Sequence, residues 1–286
     1  MDRNLPEKVV VKTSVKTGAV LWIAGASSGI GAAVAREWVR RGGRVALSAR
    51  RANRLDALVR ELGGTARAIS VACDVTRDGD CERAVAEIIS RWGCLDLAFA
   101  NAGFGVSAEF DQLSIDDYRR QFETNVYGAL RVARGAFPEL KRSQGLFAVT
   151  SSVLGHVSLP GGSPYAMSKF AVRAFAEALR VEWQRHGVGV TLISPGFVAS
   201  EIRQVDNEGR HHPDARDPVP EWLVVPVEAA AREIADAFEA RESERIVTRH
   251  GKVLVLLNRL FPGLVRRFIL PRFATPPGQK GWTRKR

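Results

Sequence analysis

The chain has 286 residues, of which 45% are hydrophobic, and a formal net charge of +11. This length and composition allow one large α/β domain or two small ones, with ample material for a core. No apolar run approaches the roughly 18 to 20 residues that cross a bilayer, and the N-terminal stretch lacks the apolar centre of a signal peptide. These features argue against a membrane-spanning protein and predict a soluble, cytoplasmic one.

The positive charge is concentrated at the C-terminal end. Residues 241–286 contain 12 Lys or Arg and 2 Glu, a net charge of +10, which leaves +1 for the first 240 residues. The role of this charge therefore belongs to the last sixth of the chain and not to its main body.

The cysteines and the paired histidines do not form a metal-binding pattern. Cys73, Cys81 and Cys94 show neither a CxxC pair nor clustering with histidine, so buried free thiols are predicted. His211 and His212 are adjacent and have no suitably spaced partner ligands, so they are interpreted as solvated side chains. No metal site is predicted.

Apolar strands and helical stretches alternate through most of the chain. The predicted strands are 19–24, 44–49, 68–73, 95–100, 146–150, 188–194 and 244–248, and the predicted helices are 32–41, 52–62, one from near 78, 116–141, 165–186 and 227–240. This alternation indicates a single α/β domain with a doubly wound parallel sheet. The domain is placed at 18–250, after a flexible arm over 1–17 and before a basic, apolar helical extension over 251–286.

A glycine-rich turn joins the first strand to the first helix. Its residues are Gly25, Ser27, Ser28, Gly29, Ile30 and Gly31, with the glycines spaced GxxxGxG. Glycines let backbone amides approach a pyrophosphate, which would lie at the positive end of the helix that follows. A simple tight turn is the alternative interpretation of a glycine loop taken alone.

Two arginines, Arg50 and Arg51, follow the second strand. About 20 residues beyond the glycines, an NAD-binding unit usually presents Asp or Glu to the ribose 2′-hydroxyl. No acidic residue lies between Glu37 and Asp56, and a guanidinium suits a 2′-phosphate instead. The sequence therefore favours NADP over NAD, with two solvated arginines at the start of helix 52–62 as the alternative.

Short polar or small-residue segments follow the third to sixth strands, at the sheet edge where ligands bind. They are Asp74-Val75, Asn101-Ala102-Gly103, Ser151-Ser152 and Pro195-Gly196. Asp74 could accept a hydrogen bond from an adenine amino group or cap the next helix. The small residues at 101–103 would let the strand end lie close to a cofactor.

Tyr165 and Lys169 are four residues apart on a predicted helix and therefore share a face. A cation fixed beside a phenol favours the phenolate and would lower the tyrosine pKa from about 10 toward working pH. Tyr165 could then exchange a proton with a substrate oxygen. Taken alone, the pair is also typical of a solvated helix surface.

The stretch 197–226 is predicted to be a loop, apart from a short helix near 201–205. Loops of this length inside a compact domain are usually functional, so we expect a lid over the site.

Together these motifs resemble the short-chain dehydrogenase/reductase family, in its ordinary single-domain form, over about residues 18–250. The resemblance rests, in family order, on Gly25-x-x-x-Gly29-x-Gly31, Asp74-Val75, Asn101-Ala102-Gly103, Asn125, Ser151-Ser152, Tyr165-x-x-x-Lys169 and Pro195-Gly196. It implies a Rossmann fold and an NADP-dependent oxidoreductase that moves hydride between the nicotinamide and a small alcohol or carbonyl compound.

The resemblance also implies a role for each of four residues. Ser152 would bind the substrate oxygen, and Tyr165 would be the general acid in reduction and the general base in oxidation. Lys169 would hold the nicotinamide ribose and lower the tyrosine pKa. Asn125, for which the pattern alone gives no role, would help hold a water that links Lys169 to solvent.

Two further cofactor contacts are implied in the lid, at Val198 and Ser200. Many relatives have a threonine near this place, and Ser200 keeps the hydroxyl. The resemblance further implies a homodimer or homotetramer built through the helices that contain Asn125 and Tyr165. The alternative is a catalytically idle, NADP-binding sensor or scaffold protein of the same fold, against which the retained residues speak.

The extension contains an apolar, arginine-flanked stretch at 252–273, which Pro262-Gly263 should divide into two short helices. One interpretation packs these helices on the substrate side or on a sister subunit. Another makes them a peripheral membrane attachment, with apolar side chains in the lipid interface and arginines at anionic headgroups. Nucleic-acid binding is disfavoured because the cations alternate with aliphatic residues and few aromatic side chains are placed for stacking.

Overall fold

The computed structural model describes residues 18–273, except 209, 211, 213 and 215–218. The predictions for the arm 1–17, for His211 and for the end of the extension from residue 274 onward lie outside the described residues.

Within the described residues, seven strands form one sheet, and every neighbouring pair is parallel. The strands are β1 Val20–Ala24, β2 Arg44–Ser48, β3 Ala68–Ser70, β4 Leu97–Ala100, β5 Leu146–Thr150, β6 Gly189–Ser194 and β7 Glu244–Ile246. Their order across the sheet is β3-β2-β1-β4-β5-β6-β7. The order reverses between β1 and β4, which is the place where doubly wound sheets bind ligands.

Helices cover both faces of the sheet. They are α1 Gly29–Arg40, α2 Ala52–Glu61, α3 Asp80–Trp92, α4 Ile115–Phe122, α5 Gly128–Ser143, α6 Ser163–Gln184, α7 Val227–Glu239 and α8 Arg249–Leu260. The predicted doubly wound parallel architecture is therefore confirmed, and so is a helical segment after the last strand.

The central strand β1 shows how two cores arise from one sequence pattern. Val20 and Trp22 contribute to the core beneath α3, α5 and α6, whereas Leu21 and Ile23 contribute to the core beneath α1 and α7. Successive side chains of a strand point to opposite faces, so a continuous apolar run supplies both layers. All four side chains are fully buried.

The three largest differences from the predicted elements concern α1, β3 and the helix at 116–141. Helix α1 begins at Gly29, inside the glycine turn. Strand β3 ends at Ser70 and not at residue 73, because it is an edge strand that pairs with β2 alone. The predicted helix 116–141 is interrupted by a π-helical turn at Glu123–Tyr127, between α4 and α5.

The predicted division of the extension is confirmed. Helix α8 ends at Leu260, and a new helical turn begins at Pro262, where the missing amide hydrogen of proline is no loss. This turn continues into π-helical Val265–Ile269 and 3₁₀-helical Leu270–Phe273. None of the described helices combines the length and apolar character required to traverse a bilayer.

Candidate active site

The residues predicted from sequence to form the site line one cleft along the carboxyl ends of the strands, with two exceptions, Gly31 and Asn125. The cleft has a volume of about 540 Å³, which is within the usual range for ligand pockets. Gly31 and Asn125 lie behind its wall and shape it from there.

The backbone around Gly25 and Gly31 is packed so closely that neither position has room for a side chain. Gly25 has φ +92°, and a Cβ there would lie 2.6 Å from the backbone of Ala102. A Cβ on Gly31 would overlap the carbonyl oxygen of Gly25, which also accepts a hydrogen bond of 2.9 Å from Asn101 Nδ2. The turn is therefore held against the end of β4, as a close approach to a pyrophosphate requires.

The N-terminus of α1 is open toward the cleft. In the part of the chain that the structure describes, the Ser28 side chain does not cap α1. Its hydroxyl instead accepts a hydrogen bond of 2.7 Å from Arg51 Nη2. The first amides of α1 thus remain for an anionic group, and this feature fits a dinucleotide.

Arg51 is held at the cleft by three partners. Its guanidinium donates to Ser27 Oγ and Ser28 Oγ, and Nη1 pairs with Glu201 Oε2 at 2.9 Å. Arg54 Nη1 pairs with the other oxygen of Glu201 at 2.6 Å. The two arginines hold the pKa of Glu201 at about 2, despite the opposing effect of burial. Arg50 also lines the cleft but has an exposed side chain.

Asp74 faces the cleft and does not cap the next helix. Its Oδ1 accepts from the backbone N and the hydroxyl of Thr76, at 3.0 and 2.8 Å. Helix α3 begins at Asp80, with Gly79 at its N-cap position, so the capping alternative for Asp74 is wrong. Asp80 instead accepts a hydrogen bond from the Asp74 amide at 2.9 Å.

Ser152 and Tyr165 are brought together by the turn after β5 and the start of α6. Ser152 is 8% exposed, and its Oγ accepts from Leu154 N at 3.1 Å. Burial raises the pKa of Tyr165, while a hydrogen bond with Ser152 and the positive charge of Arg203 oppose that rise. The net shift is upward, so the expectation of a lowered tyrosine pKa is wrong for this structure: desolvation outweighs the nearby charges.

Lys169 is buried beside the phenol ring. Its Nζ donates to the carbonyl oxygen of Thr150 at 2.9 Å and lies 5.5 Å from the centroid of the Tyr165 ring. The side chain is only 4% exposed, and this burial lowers the pKa of Lys169 to about 8. The ammonium is therefore charged at neutral pH and loses its proton in mildly alkaline solution.

Asn125 anchors the loop that follows β4. Its Oδ1 accepts from Phe104 N, and its Nδ2 donates to Phe104 O and to Ser168 Oγ, at distances of 3.1 to 3.2 Å. Both donors of the amide are thus used inside the protein, and one lone pair of Oδ1 remains for a water. Asn125 lies in the π-helical turn, a local distortion that is frequent at functional sites.

The two ends of the lid, residues 197–226, lie side by side, and residues near its first end line the cleft. Its ends join at a parallel bridge between Val198 and Val225. One contact reaches Arg51 and Arg54 through Glu201. Another reaches the loop after β4, where Ser107 N donates to Asn207 Oδ1 at 3.0 Å. The predicted short helix is a 3₁₀ turn at Glu201–Gln204.

The remaining predicted contacts also lie at the cleft. Val198 is buried and Ser200 lies close to the glycine turn, where a Cβ on Gly29 would be 3.2 Å from Ser200 Cβ. Cys73 and Cys81 are free, buried thiols as predicted, while Cys94 is partly exposed. The His212 side chain is 43% exposed, in keeping with the solvated interpretation, and it also pairs with Asp206 at 2.7 Å.

Sequence reasoning missed Thr150, Glu201 and Arg203. The Thr150 carbonyl holds Lys169 and its hydroxyl donates to Asn101 Oδ1 at 3.0 Å, contacts that depend on the register of β5 beside β4. Glu201 and Arg203 lie in the lid, where no periodic pattern could have placed them. Among the described residues, no group of three His, Cys, Asp or Glu side chains is arranged to hold a metal.

The sheet order, the glycine turn at its switch point and the open end of α1 define a dinucleotide-binding α/β protein. The family model for short chain dehydrogenase matches residues 19–211. The chain therefore belongs to the short-chain dehydrogenase/reductase family, whose members are oxidoreductases of CH–OH or carbonyl groups.

Two curated relatives and one solved structure illustrate the similarity. The 11-beta-hydroxysteroid dehydrogenase A of Sesamum indicum is 37% identical over 240 residues, covering 81% of this chain and 68% of the relative. The A-factor type gamma-butyrolactone 1'-reductase (1S-forming) of Streptomyces virginiae is 36% identical over 244 residues, covering 84% and 94%. A short chain dehydrogenase/reductase from Burkholderia phymatum in complex with NAD matches with a TM-score of 0.77 and 23% identity, covering 87% of this chain and 96% of that one.

The coverage of the relatives is uneven. The match to the 11-beta-hydroxysteroid dehydrogenases 1A and 1B of Arabidopsis thaliana spans 54% of their length.

Proposed function

We propose that this protein is an NADP(H)-dependent oxidoreductase in which Tyr165 exchanges a proton with the substrate oxygen. The observation that carries the proposal is the convergence of Ser152, Tyr165 and Lys169 in one cleft, next to a glycine turn that fits a dinucleotide. The alternative, a catalytically idle sensor or scaffold, has no observation in its favour.

The bound nicotinamide supplies the hydride in reduction and accepts it in oxidation. The chain's own residues handle the oxygen and the proton. Ser152 Oγ donates a hydrogen bond to the carbonyl oxygen of the substrate and fixes the position of that oxygen. As the carbon gains hydride, the Tyr165 hydroxyl gives its proton to the same oxygen and becomes a phenolate.

The developing phenolate is stabilised by positive charge. Lys169 lies beside the ring as an ammonium below its pKa of about 8. Arg203 also acts electrostatically on Tyr165. Both charges favour the deprotonated phenol, so they offset part of the cost of burying it. Because Lys169 is buried, this attraction is little screened by water.

Asn125 and Ser168 are assigned as positioning residues. The Asn125 amide ties the Phe104 backbone to Ser168, which directly precedes Lys169 in α6. A water that donates a hydrogen bond to the remaining lone pair of Asn125 Oδ1 would pass a proton from solvent toward Lys169. Such a relay would replace the proton that Tyr165 gives up in each turnover.

The preference for NADP rests on the charges beyond β2. Arg51 and Arg54 form a pair of guanidinium groups that both grip one carboxylate, that of Glu201. Two guanidinium groups with this convergence suit a phosphate dianion. A 2′-phosphate at Arg51 would compete with Glu201, so the lid must yield this contact when NADP binds. Asp74 is assigned to the adenine.

Arg51→Ala and Arg54→Ala are each expected to raise the Kd for NADPH by about 10- to 100-fold, since each removes a charge-assisted hydrogen bond. The Kd for NADH should change by no more than about twofold, because its 2′-hydroxyl is uncharged and does not form an ion pair with an arginine. Binding is measured by quenching of tryptophan fluorescence. Equal losses for both nucleotides would contradict the assignment and indicate damage to the glycine turn.

Two further variants sharpen this test. Glu201→Gln keeps the shape of the side chain and removes the competing charge, so it should tighten NADPH binding and leave NADH binding unchanged. Arg50→Ala alters an exposed arginine two positions from the end of β2 and shows whether Arg50 shares the 2′-phosphate.

The substrate is assigned to the class of small alcohols and carbonyl compounds. The names of the relatives suggest ketosteroids and keto-butyrolactones as first compounds, together with simple ketones, aldehydes and quinones. The proposal is tested by following NADPH consumption with each compound, with Tyr165→Phe as the negative control. Equal rates for the two proteins with every compound would favour the idle alternative.

A homodimer or homotetramer through α5 and α6 is part of the proposal. Exposed apolar side chains support it: Met167, Phe170 and Val181 lie on α6, and Tyr127 directly precedes α5, with exposed fractions of 40 to 73%. Apolar surface of this kind is common at subunit interfaces. A cytoplasmic location likewise remains a prediction.

A further inference from the structure

The C-terminal helical segment, residues 249–271, is fixed to the body of the protein by one face. Val255 and Val265 are 8% and 1% exposed and share a buried cluster with Val153 and Val157. Asn258 Nδ2 donates to the carbonyl oxygen of His156 at 2.9 Å. The inner face of the segment is thus packed on the turn that directly follows Ser152.

The opposite, outer face of the segment is apolar and exposed. Its large side chains are 52 to 58% exposed, and they are Val253, Leu256, Leu260, Phe261, Leu264 and Phe268. Val253, Leu256 and Leu260 follow one another at helical spacing on α8, and Leu264 lies in the helical turn that begins at Pro262. Six such exposed side chains in one short segment exceed the scattered apolar residues that a soluble protein normally exposes.

Positive charge accompanies this outer face. Arg259, Arg266 and Arg267 are exposed, and the Arg267 guanidinium lies 5.8 Å from the centroid of the Phe268 ring. After Glu244 the sequence contains no acidic residue. Lys252 of the segment forms an ion pair with Glu233, and the segment itself contains no acidic residue. Apolar side chains accompanied by arginines within such a segment form the pattern of a helix that lies in the interface of an anionic membrane.

A second copy of this chain fits the outer face less well. A twofold interface places the same patch on both subunits, so it would bring two sets of Arg259, Arg266 and Arg267 into one interface without an acidic residue of the segment to neutralise them. An anionic lipid surface supplies both the apolar layer and the opposite charge. We propose that the outer face docks this protein on anionic lipid surfaces.

Docking of this kind would place the turn after Ser152 on the membrane side of the protein. The inner face of the segment packs on Val153 and Val157 of that turn, and Ser152 itself lines the cleft. The docking itself depends on the outer face alone and is independent of the enzymatic assignment.

The test is sedimentation of the full chain with vesicles of phosphatidylcholine, with and without phosphatidylserine. The triple variant Leu256→Gln, Leu260→Gln and Leu264→Gln changes only exposed positions and leaves the inner face intact. Ile115→Gln, which alters a 67% exposed side chain at the start of α4, is the matched control. Deletion of the segment is avoided because it would uncover Val153 and Val157. Thermal unfolding confirms that each variant is folded.

We expect the wild type and Ile115→Gln to sediment with phosphatidylserine vesicles and not with phosphatidylcholine alone. The triple variant should remain in the supernatant. Arg266→Gln and Arg267→Gln should each weaken binding about fivefold, the effect of one basic residue near an anionic surface. Equal sedimentation of the triple variant and the wild type would overturn the proposal. So would a lack of vesicle binding by the wild type, or a dimer that the triple variant converts to a monomer.

Discussion

Tyr165→Phe is expected to lower kcat for carbonyl reduction by about 10²- to 10⁴-fold, the usual contribution of a positioned general acid. The substitution removes one hydroxyl and keeps the ring that packs beside Lys169. The Kd for NADPH should therefore change little. Steady-state kinetics together with fluorescence titration separate the two effects.

Tyr127→Phe is the matched control, since Tyr127 is 50% exposed and lies outside the cleft. It should retain the activity of the wild type. Full activity of Tyr165→Phe would show that another group donates the proton to the substrate oxygen. A loss of NADPH binding equal to the loss of kcat would make Tyr165 a binding residue and not the acid.

Lys169→Met should lower kcat by about 10²- to 10³-fold, because it removes a preorganised positive charge from beside the phenol. Methionine retains most of the buried aliphatic volume, so the fold should be kept. The thermal unfolding temperature should not fall, because the variant no longer buries an ammonium. NADPH binding should weaken as well, since Lys169 is assigned to the nicotinamide ribose.

The pH profile distinguishes an electrostatic role of Lys169 from a purely structural one. Burial lowers the pKa of Lys169 to about 8, so the positive charge is present below that pH and is lost above it. Wild-type kcat for reduction should therefore fall as the pH rises through about 8. Lys169→Met should lack this decline. The same decline in both proteins would show that another group controls it.

Elements with a local signal were predictable from the sequence. Strand β1 is a continuous apolar run that ends in glycine, and its observed bounds, Val20–Ala24, lie within one residue of the predicted 19–24. Strand β5 was predicted with its observed bounds, Leu146–Thr150. The order of the motifs then indicated which residues meet at the cleft, because the carboxyl ends of parallel strands share one edge of the sheet.

Features that depend on distant contacts were not predictable. Glu201 meets Arg51 and Arg54 only because the lid folds back across the cleft, and no spacing in the sequence encodes that approach. The direction of the Tyr165 pKa shift was also missed. The pair Tyr165 and Lys169 suggested a charge effect, whereas the structure adds the larger cost of desolvation.

The most direct test of the central claim is isotope transfer from NADPH in which both hydrogens on the hydride-donating carbon of the nicotinamide are replaced by deuterium. With a ketone accepted by the wild type, the account predicts that the deuterium appears on the carbinol carbon of the alcohol, as detected by mass spectrometry. The rate of its appearance should fall in Tyr165→Phe by the same factor as kcat. Alcohol formed without deuterium, or deuterium transfer at equal rates in both proteins, would contradict the account.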